Sequence, residues 1–219
     1  MFSVLAVLIV MLAALRTTAL LLSGDTNLAF LHERKVALAA QIRAVCGAPA
    51  SAEPFVVAGA TEIKTARCDL RILDNPQFQT FVFNEGILFR PNEDRLNAKG
   101  VQVLSLVRRA LGRQGSDIVE IQILGHTDTQ GGEVRNFELG SARALAVFNL
   151  LTRPGSDRID PLSTLMSVTT YGYFDPVQRR NQPEFSSRAL HEANATAAAR
   201  TLNRRIELNV FFRKAPRQP

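Results

Sequence analysis

The chain opens with a hydrophobic segment that differs from everything after it. From Phe2 to Leu22 it is almost continuously apolar, and Arg16 is the single charged residue. As a helix rising about 1.5 Å per residue, this segment would be about 31 Å long, which matches the apolar thickness of a bilayer. A cleaved signal peptide is the competing interpretation, but no basic region precedes the segment and no convincing cleavage site follows it. We therefore predict a transmembrane anchor over residues 1–23.

Beyond the anchor, apolar residues return at helical spacing. They recur from Leu31 to Cys46, at Leu38 and Ile42 among others, with charged residues between them. This spacing predicts an amphipathic helix. Residues 47–59 are rich in Gly, Ala and Pro, so we expect the helix to end there and an irregular stretch to follow. Residues 24–79 are assigned to a helical linker and an irregular segment.

From Thr80 onward the pattern predicts strands that alternate with helices. The alternation of Ile118–Leu124, for example, is typical of a strand with one buried face. The predicted elements are two short strands around the turn Asn84–Gly86, helices over 96–111, 136–151 and 188–202, and strands over 118–124, 165–171 and 205–212. Strands separated by helices predict an α/β layer structure. We assign residues 80–213 to this domain and 214–219 to a tail.

The formal net charge of +6 narrows the choice of partners. A modestly basic surface suits an anionic polymer or lipid headgroups. No basic run is interleaved with aromatic residues, and no helix-turn-helix, zinc-finger or RNA-binding signature occurs. We therefore expect no nucleic acid partner.

Cys46 and Cys68 are the only cysteines. In an oxidising periplasm they could form a disulfide; otherwise they are two small buried apolar residues. No metal-ligand residues surround them, so we expect no metal or other cofactor.

A polar motif stands at the junction of a predicted strand and a predicted helix. Gly125-His-Thr-Asp-Thr-Gln-Gly131 follows the strand, and the helix after it carries Asn136 and Arg143. Asp128 in the loop offers an acceptor and Arg143 a forked donor, so both could face one cleft. A ligand with an ammonium and a carboxylate on the same carbon would satisfy both. The structural alternative is an ion pair between these two side chains that ties loop to helix.

The motif resembles that of the OmpA C-terminal-like family, in which G-H-T-D-x-x-G precedes N-x-x-L-S-x-x-R-A. Fifteen positions separate Asp128 from Arg143, as in the family pattern. Further agreement comes from Phe89 with Leu96 and Gly100, from Tyr171-Gly172 with Pro176, and from Asn203-Arg204-Arg205-Ile206-Glu207. The resemblance covers residues 81–212. It implies an α/β fold, a βαβαβ sandwich of a mixed sheet with helices on one side, here preceded by one transmembrane helix.

The resemblance also implies a non-catalytic domain that binds peptidoglycan through diaminopimelate in its stem peptides. Asp128 would hold the ammonium group and Arg143 the carboxylate. The remaining candidate ligand-binding residues are Thr127, Asn136, Arg204 and Arg205, and of the two last-named arginines one could line the site while the other forms a structural salt bridge. An enzyme, such as a wall hydrolase, is not expected, because no paired-carboxylate, nucleophile–base or zinc pattern occurs.

Two departures from the family pattern concern the site. Gly140 stands where the family usually has Ser after the leucine, which would remove a helix-capping hydroxyl and loosen the start of the binding helix. Arg90 follows Phe89, where many members carry an acidic or amide residue near the ligand.

The charges around the anchor conflict with the location that the family implies. No Lys or Arg precedes the anchor whereas Arg34, Lys35 and Arg43 follow it, which alone predicts a cytoplasmic C-terminal part. The resemblance implies instead a single-pass protein of the bacterial inner membrane with its C-terminal domain in the periplasm. A start codon upstream of Met1, with a basic leader, would remove the conflict.

The order of anchor, helical linker and OmpA-like domain also resembles the B subunit of ion-driven stators, in flagellar MotB or in Zorya antiphage systems. This alternative implies a homodimer and a MotA-like multi-span partner in the membrane. The intramembrane Asp of such subunits is missing here. Asp25 is the nearest carboxylate, but it follows the apolar segment, where an interfacial helix-end residue is the simpler interpretation.

Overall fold

A computed structural model describes residues 28–48, 60–181 and 185–214 of the chain. The predicted anchor over 1–23 and all but the first residue of the predicted tail lie outside these residues. No helix among them combines the length and the apolarity that crossing a membrane requires.

The fold is a six-stranded mixed sheet with helices. Its strands are β1 (Ala60–Lys64), β2 (Asp69–Asp74), β3 (Phe78–Asn84), β4 (Ile118–His126), β5 (Leu165–Gly172) and β6 (Arg205–Phe212), in the order β1-β2-β3-β6-β4-β5. Neighbouring strands are antiparallel except β4 and β5, which are parallel. A parallel pair needs a crossover connection. The helix that links β4 to β5 therefore packs on this part of the sheet.

The described residues include six α-helices beside the sheet: α1 (described from 28 to 46), α2 (Glu85–Leu88), α3 (Ala98–Gln114), α4 (Glu133–Leu151), α5 (Ser187–Glu192) and α6 (Ala197–Asn203). Asn97 caps α3 by accepting a hydrogen bond from the Gly100 backbone N–H, and Thr196 caps α6 in the same way from Ala199. α4 is the crossover helix between β4 and β5. It begins a few residues after the polar motif, and so the motif lies at its N-terminal end.

The hydrophobic core lies between one face of the sheet and helices α1, α3 and α4. Alternate residues of a strand point to the same face, and Ile121 and Ile123 of β4 belong to the same buried cluster as Val147 of α4. The cluster also includes Leu38, Ile42, Phe81, Phe83, Val103, Leu104, Val107, Ala144, Leu151, Ile206, Leu208 and Val210. The mixed α/β fold is as predicted.

The domain begins well before the predicted boundary at residue 80. β1 and β2 belong to the sheet, and α1 buries Leu38 and Ile42 in the core. Lys35 of α1 is buried and pairs with Asp74 of β2 at 3.0 Å. The segment assigned to linker thus contributes the predicted amphipathic helix, which packs in the core, and two strands of the sheet.

Two further sequence predictions need correction. The segment Ile87-Leu-Phe89 does not form the second strand of a hairpin, because Glu85–Leu88 is the single-turn helix α2. Residues 188–202 do not form one helix but are divided between α5 and α6.

Gly140 lies where α4 approaches the sheet closely, and it is not at a helix start. It lies inside α4, where a Cβ atom would stand 2.3 Å from the hydroxyl oxygen of Thr170. The same hydroxyl donates to the carbonyl oxygen of Gly125 at 2.7 Å. The expectation that Gly140 removes a capping hydroxyl is therefore wrong, because glycine at this position permits contact between α4 and the sheet.

Cys46, the last residue of α1, forms a disulfide with Cys68, just before β2. Both side chains are fully buried, and the Thr65 hydroxyl donates to the Cys46 carbonyl at 2.8 Å. The bond therefore fixes the end of α1 to the sheet.

Breaking this disulfide should destabilise the domain. The bridged residues are 22 apart, and closing a loop of this size is worth about 3 kcal/mol. A reducing agent should therefore lower the urea midpoint of the wild-type chain. The double variant Cys46→Ala/Cys68→Ala is the control, and its midpoint should not respond to the reductant. An unchanged wild-type midpoint after thiol titration has confirmed full reduction would contradict this role.

Candidate functional site

A polar pocket of about 210 Å³ lies where β4 ends and α4 begins. α2 and the residue before β6 close its other side. Its polar lining residues are Glu85, Asn92, Thr127, Asp128, Gln130, Asn136, Arg143 and Arg204. Strand β4, helix α4 and the start of β6 thus bring together residues that are distant in sequence.

Asp128 lies in the loop that leaves β4 and is almost fully buried. Its Oδ1 accepts a hydrogen bond from the Gln130 backbone N–H at 2.8 Å, which closes a local turn. Its Oδ2 accepts one from Nη1 of Arg204 at 2.5 Å. The carboxylate is thus held by the loop on one side and by a cation on the other.

Arg143 lies on the pocket side of α4 and is buried. Its Nε donates to the Glu93 carbonyl at 2.9 Å, its Nη2 donates to Glu85, and its guanidinium lies 5.2 Å from the centre of the Phe89 ring. Burial lowers the pKa of Arg143, while the neighbouring Glu85 carboxylate acts in the opposite direction. These three contacts fix the guanidinium at the floor of the pocket.

Asp128 and Arg143 are joined through two intermediate side chains. Asp128 pairs with Arg204, Nε of Arg204 pairs with Oε2 of Glu85 at 2.5 Å, and Glu85 pairs with Arg143. Although burial opposes it, hydrogen bonds to Asp128 and Glu85 raise the pKa of Arg204. The four side chains carry two negative and two positive charges, so the pocket is neutral overall.

Thr127 and Asn136 complete the polar wall. The Asn136 amide donates to the Gln130 carbonyl at 2.9 Å and so holds the loop that carries Asp128. Thr127 is 3% exposed, and its hydroxyl has no hydrogen-bond partner among the described residues. A buried hydroxyl without a partner is costly. Its position in the pocket wall suits a polar ligand atom.

Residues 88–189 match the OmpA family. This segment, just under half of the chain, is similar to the OmpA family. The resemblance inferred from the motif is thereby confirmed, and the matched residues include Asp128, Asn136 and Arg143. None of the curated protein sequences matches the chain.

Solved structures with a similar fold include two MotB-type proteins. A putative MotB-like protein from Desulfovibrio vulgaris has 20% identity and a TM-score of 0.57, over 84% of this chain and 97% of that one. The periplasmic domain of Helicobacter pylori MotB (residues 78–256) has 18% identity and a TM-score of 0.53, over 70% of this chain and 87% of that one. At these identities the similarity establishes the fold.

Arg205 lies away from the pocket. Its side chain is 2% exposed, and it pairs with Glu207 at 2.5 Å and donates to the Asp175 carbonyl at 3.1 Å. Arg204, the residue before β6, lines the pocket, whereas Arg205, the first residue of β6, does not. Arg205 is therefore removed from the candidate ligand-binding residues and is assigned a structural salt bridge.

The sequence interpretation missed Glu85 altogether. This residue appeared only as part of a turn signal, yet its carboxylate contacts both arginines of the pocket. A carboxylate in the first turn of a helix is common because the helix dipole favours it. The position of Glu85 therefore gave no reason to assign it to a binding site. Within the described residues, no group of His, Cys, Asp and Glu is arranged to hold a metal ion.

Proposed function

We propose that this chain is a membrane-anchored, non-catalytic protein that tethers the inner membrane, or a complex in it, to the cell wall. Its OmpA-family domain would bind peptidoglycan through diaminopimelate in the stem peptides. The observation that carries the proposal is one neutral pocket in which a buried acidic side chain, Asp128, and a buried arginine, Arg143, line the same space.

The free end of diaminopimelate carries an ammonium and a carboxylate on one carbon. Asp128 is placed to accept the ammonium, and Arg143 to donate to the carboxylate. Charge-assisted hydrogen bonds of this kind are stronger than neutral ones. The Thr127 hydroxyl, which has no partner within the part of the chain that the structure describes, would supply one further polar contact. A neutral pocket takes a zwitterion without leaving an uncompensated buried charge.

A periplasmic location fits two observations. The similar Helicobacter pylori structure is a periplasmic domain. The disulfide between Cys46 and Cys68 suits an oxidising compartment such as the periplasm. With residues 1–23 as a single-pass anchor, the domain would then face the wall.

Sedimentation with isolated cell walls tests this proposal. The full-length chain in detergent should pellet with sacculi whose stem peptides contain diaminopimelate, and free diaminopimelate should release it. Sacculi with lysine in place of diaminopimelate are the matched control, because lysine lacks the second carboxylate. Equal pelleting with both wall types, or none with either, would refute recognition of diaminopimelate.

The fold similarity to MotB supports a second, more specific candidate function. Here the chain would be the B subunit of an ion-driven stator, present as a homodimer beside a MotA-like multi-span partner. Co-expression with a multi-span protein encoded by a neighbouring gene should yield a complex that contains two copies of this chain. A gene without such a neighbour would count against the stator.

A further inference from the structure

Between Arg143 and Asp128 the pocket already contains one negative and one positive side chain, in the same order as the two charges of the proposed ligand. Reading from Arg143 to Asp128, the next group is the Glu85 carboxylate and then the Arg204 guanidinium. A bound zwitterion would place its carboxylate on Arg143 and its ammonium on Asp128, in the same order. The Glu85–Arg204 pair therefore resembles the ligand in charge and in contacts.

The contacts of this pair are those that the ligand needs. Nη2 of Arg143, which would donate to a ligand carboxylate, donates to Glu85, while its Nε is used by the Glu93 carbonyl. Oδ2 of Asp128, which would accept a ligand ammonium, accepts from Arg204. The pair therefore occupies the same Nη2 and Oδ2 atoms that a zwitterion would use, so the two compete for these contacts.

The pair is held in position by the backbone. The Glu85 N–H donates to the Arg204 carbonyl at 2.9 Å, so the two side chains start from adjacent points. This arrangement keeps the two side chains together and opposite their partners across the pocket.

Burial decreases from the floor of the pocket to the pair. The side chains of Arg143 and Asp128 are 3% and 5% exposed, that of Glu85 is 11% exposed, and that of Arg204 is 28% exposed. Arg204 also donates to the Thr201 hydroxyl of α6 at 3.2 Å, outside the pocket lining. The outer pair can therefore leave while the inner two charges stay fixed, and Thr201 offers Arg204 a contact outside the pocket.

We infer that the Glu85–Arg204 pair is an internal stand-in for the zwitterionic ligand, which occupies the site in the free domain and must be displaced for binding. This inference rests on the proposed function. Because the displaced and incoming groups carry the same charges, the pocket remains neutral throughout. The apparent affinity is the intrinsic affinity multiplied by the fraction of molecules in which the pair has left the site.

Titration calorimetry on the full-length chain with meso-diaminopimelate tests the inference. The double variant Glu85→Gln/Arg204→Gln removes both charges, keeps the pocket neutral and should bind about tenfold more tightly or better. The control Arg188→Gln/Glu192→Gln removes an exposed pair of the same types in α5, and its affinity should be unchanged. Thermal unfolding of each variant checks that the fold is retained.

The single variants give an independent readout, because each leaves one uncompensated charge. Glu85→Gln leaves a positive pocket and should shift preference toward pimelate, which is diaminopimelate without its amino groups. Arg204→Gln leaves a negative pocket and should shift preference toward 1,5-diaminopentane, which lacks the carboxylates. Opposite shifts would show that both side chains contribute their charge to the ligand site, and no shift in either variant would exclude the pair from that site.

Two outcomes would overturn the inference, and they are distinguishable. In the first, the wild-type chain binds diaminopimelate and the double variant binds it equally well or more weakly. The Glu85–Arg204 pair would then stabilise the fold or contact the ligand, and it would not compete with the ligand. If neither the wild type nor any variant binds, the proposed function fails together with the inference.

Discussion

Replacing Asp128 with Asn should reduce binding to diaminopimelate-containing walls by roughly 30-fold or more, since loss of one partner of a buried charge pair costs about 2–5 kcal/mol. Asparagine keeps the size of the side chain and can still accept from the Gln130 N–H, so the loop should remain in place. What is lost is the negative charge that would hold the ligand ammonium. The measurement is the fraction of chain that pellets with sacculi over a series of wall concentrations.

Arg143→Lys tests the other end of the ligand. Lysine retains the charge but lacks the planar fork that serves the Glu93 carbonyl and a carboxylate together. Binding should fall by a similar factor, and Asp128→Ala and Arg143→Ala should abolish it. The control is Asp175→Asn, which alters a carboxylate near Arg205, outside this pocket. Wild-type affinity in both Asp128→Asn and Arg143→Lys would place the ligand elsewhere.

Gly125→Ala should be the most destabilising of the glycine substitutions in this domain. A Cβ at this position would lie 2.1 Å from the backbone carbonyl oxygen of Gly140 in α4. No side-chain rotation can relieve a clash with backbone, so α4 must move away from β4. Overpacking of this kind costs about 3 kcal/mol, which lowers Tm by roughly 6–12 °C in a domain of this size.

Thermal unfolding of Gly86→Ala provides the matched control. An added Cβ at Gly86, in helix α2, meets nothing within 4 Å. Alanine also favours helix more than glycine does, so Tm should stay the same or rise slightly. A wild-type Tm for Gly125→Ala would mean that α4 and β4 are farther apart than described.

The sequence predicted the two inner charges of the pocket because both lie in one contiguous motif. Strand β4, the loop with Asp128 and helix α4 follow each other directly, so the spacing to Arg143 is set by local geometry. Glu85 and Arg204 lie far from this motif in the chain. Their pairing depends on α2 and β6 meeting at one end of the sheet, which no local pattern reveals.

The early start of the domain was missed for a different reason. Leu70 and Ile72 alternate with polar residues as a strand should, but the preceding Gly-, Ala- and Pro-rich stretch favoured an irregular segment. Antiparallel pairing with β3 gives β2 its place in the sheet. Tertiary contacts of this kind override local composition.

The packing of α1 in the core limits the distance that a membrane tether could span. If residues 1–23 form the anchor, four residues separate it from Leu28, the first described residue of α1, and four residues of chain span at most about 14 Å. While α1 remains packed in the core, such an anchor would therefore hold the domain close to the membrane surface. A longer tether would require α1 to separate from the core, which would expose Leu38 and Ile42 to water. The disulfide at Cys46 would limit this separation, because it holds the end of α1 to the sheet.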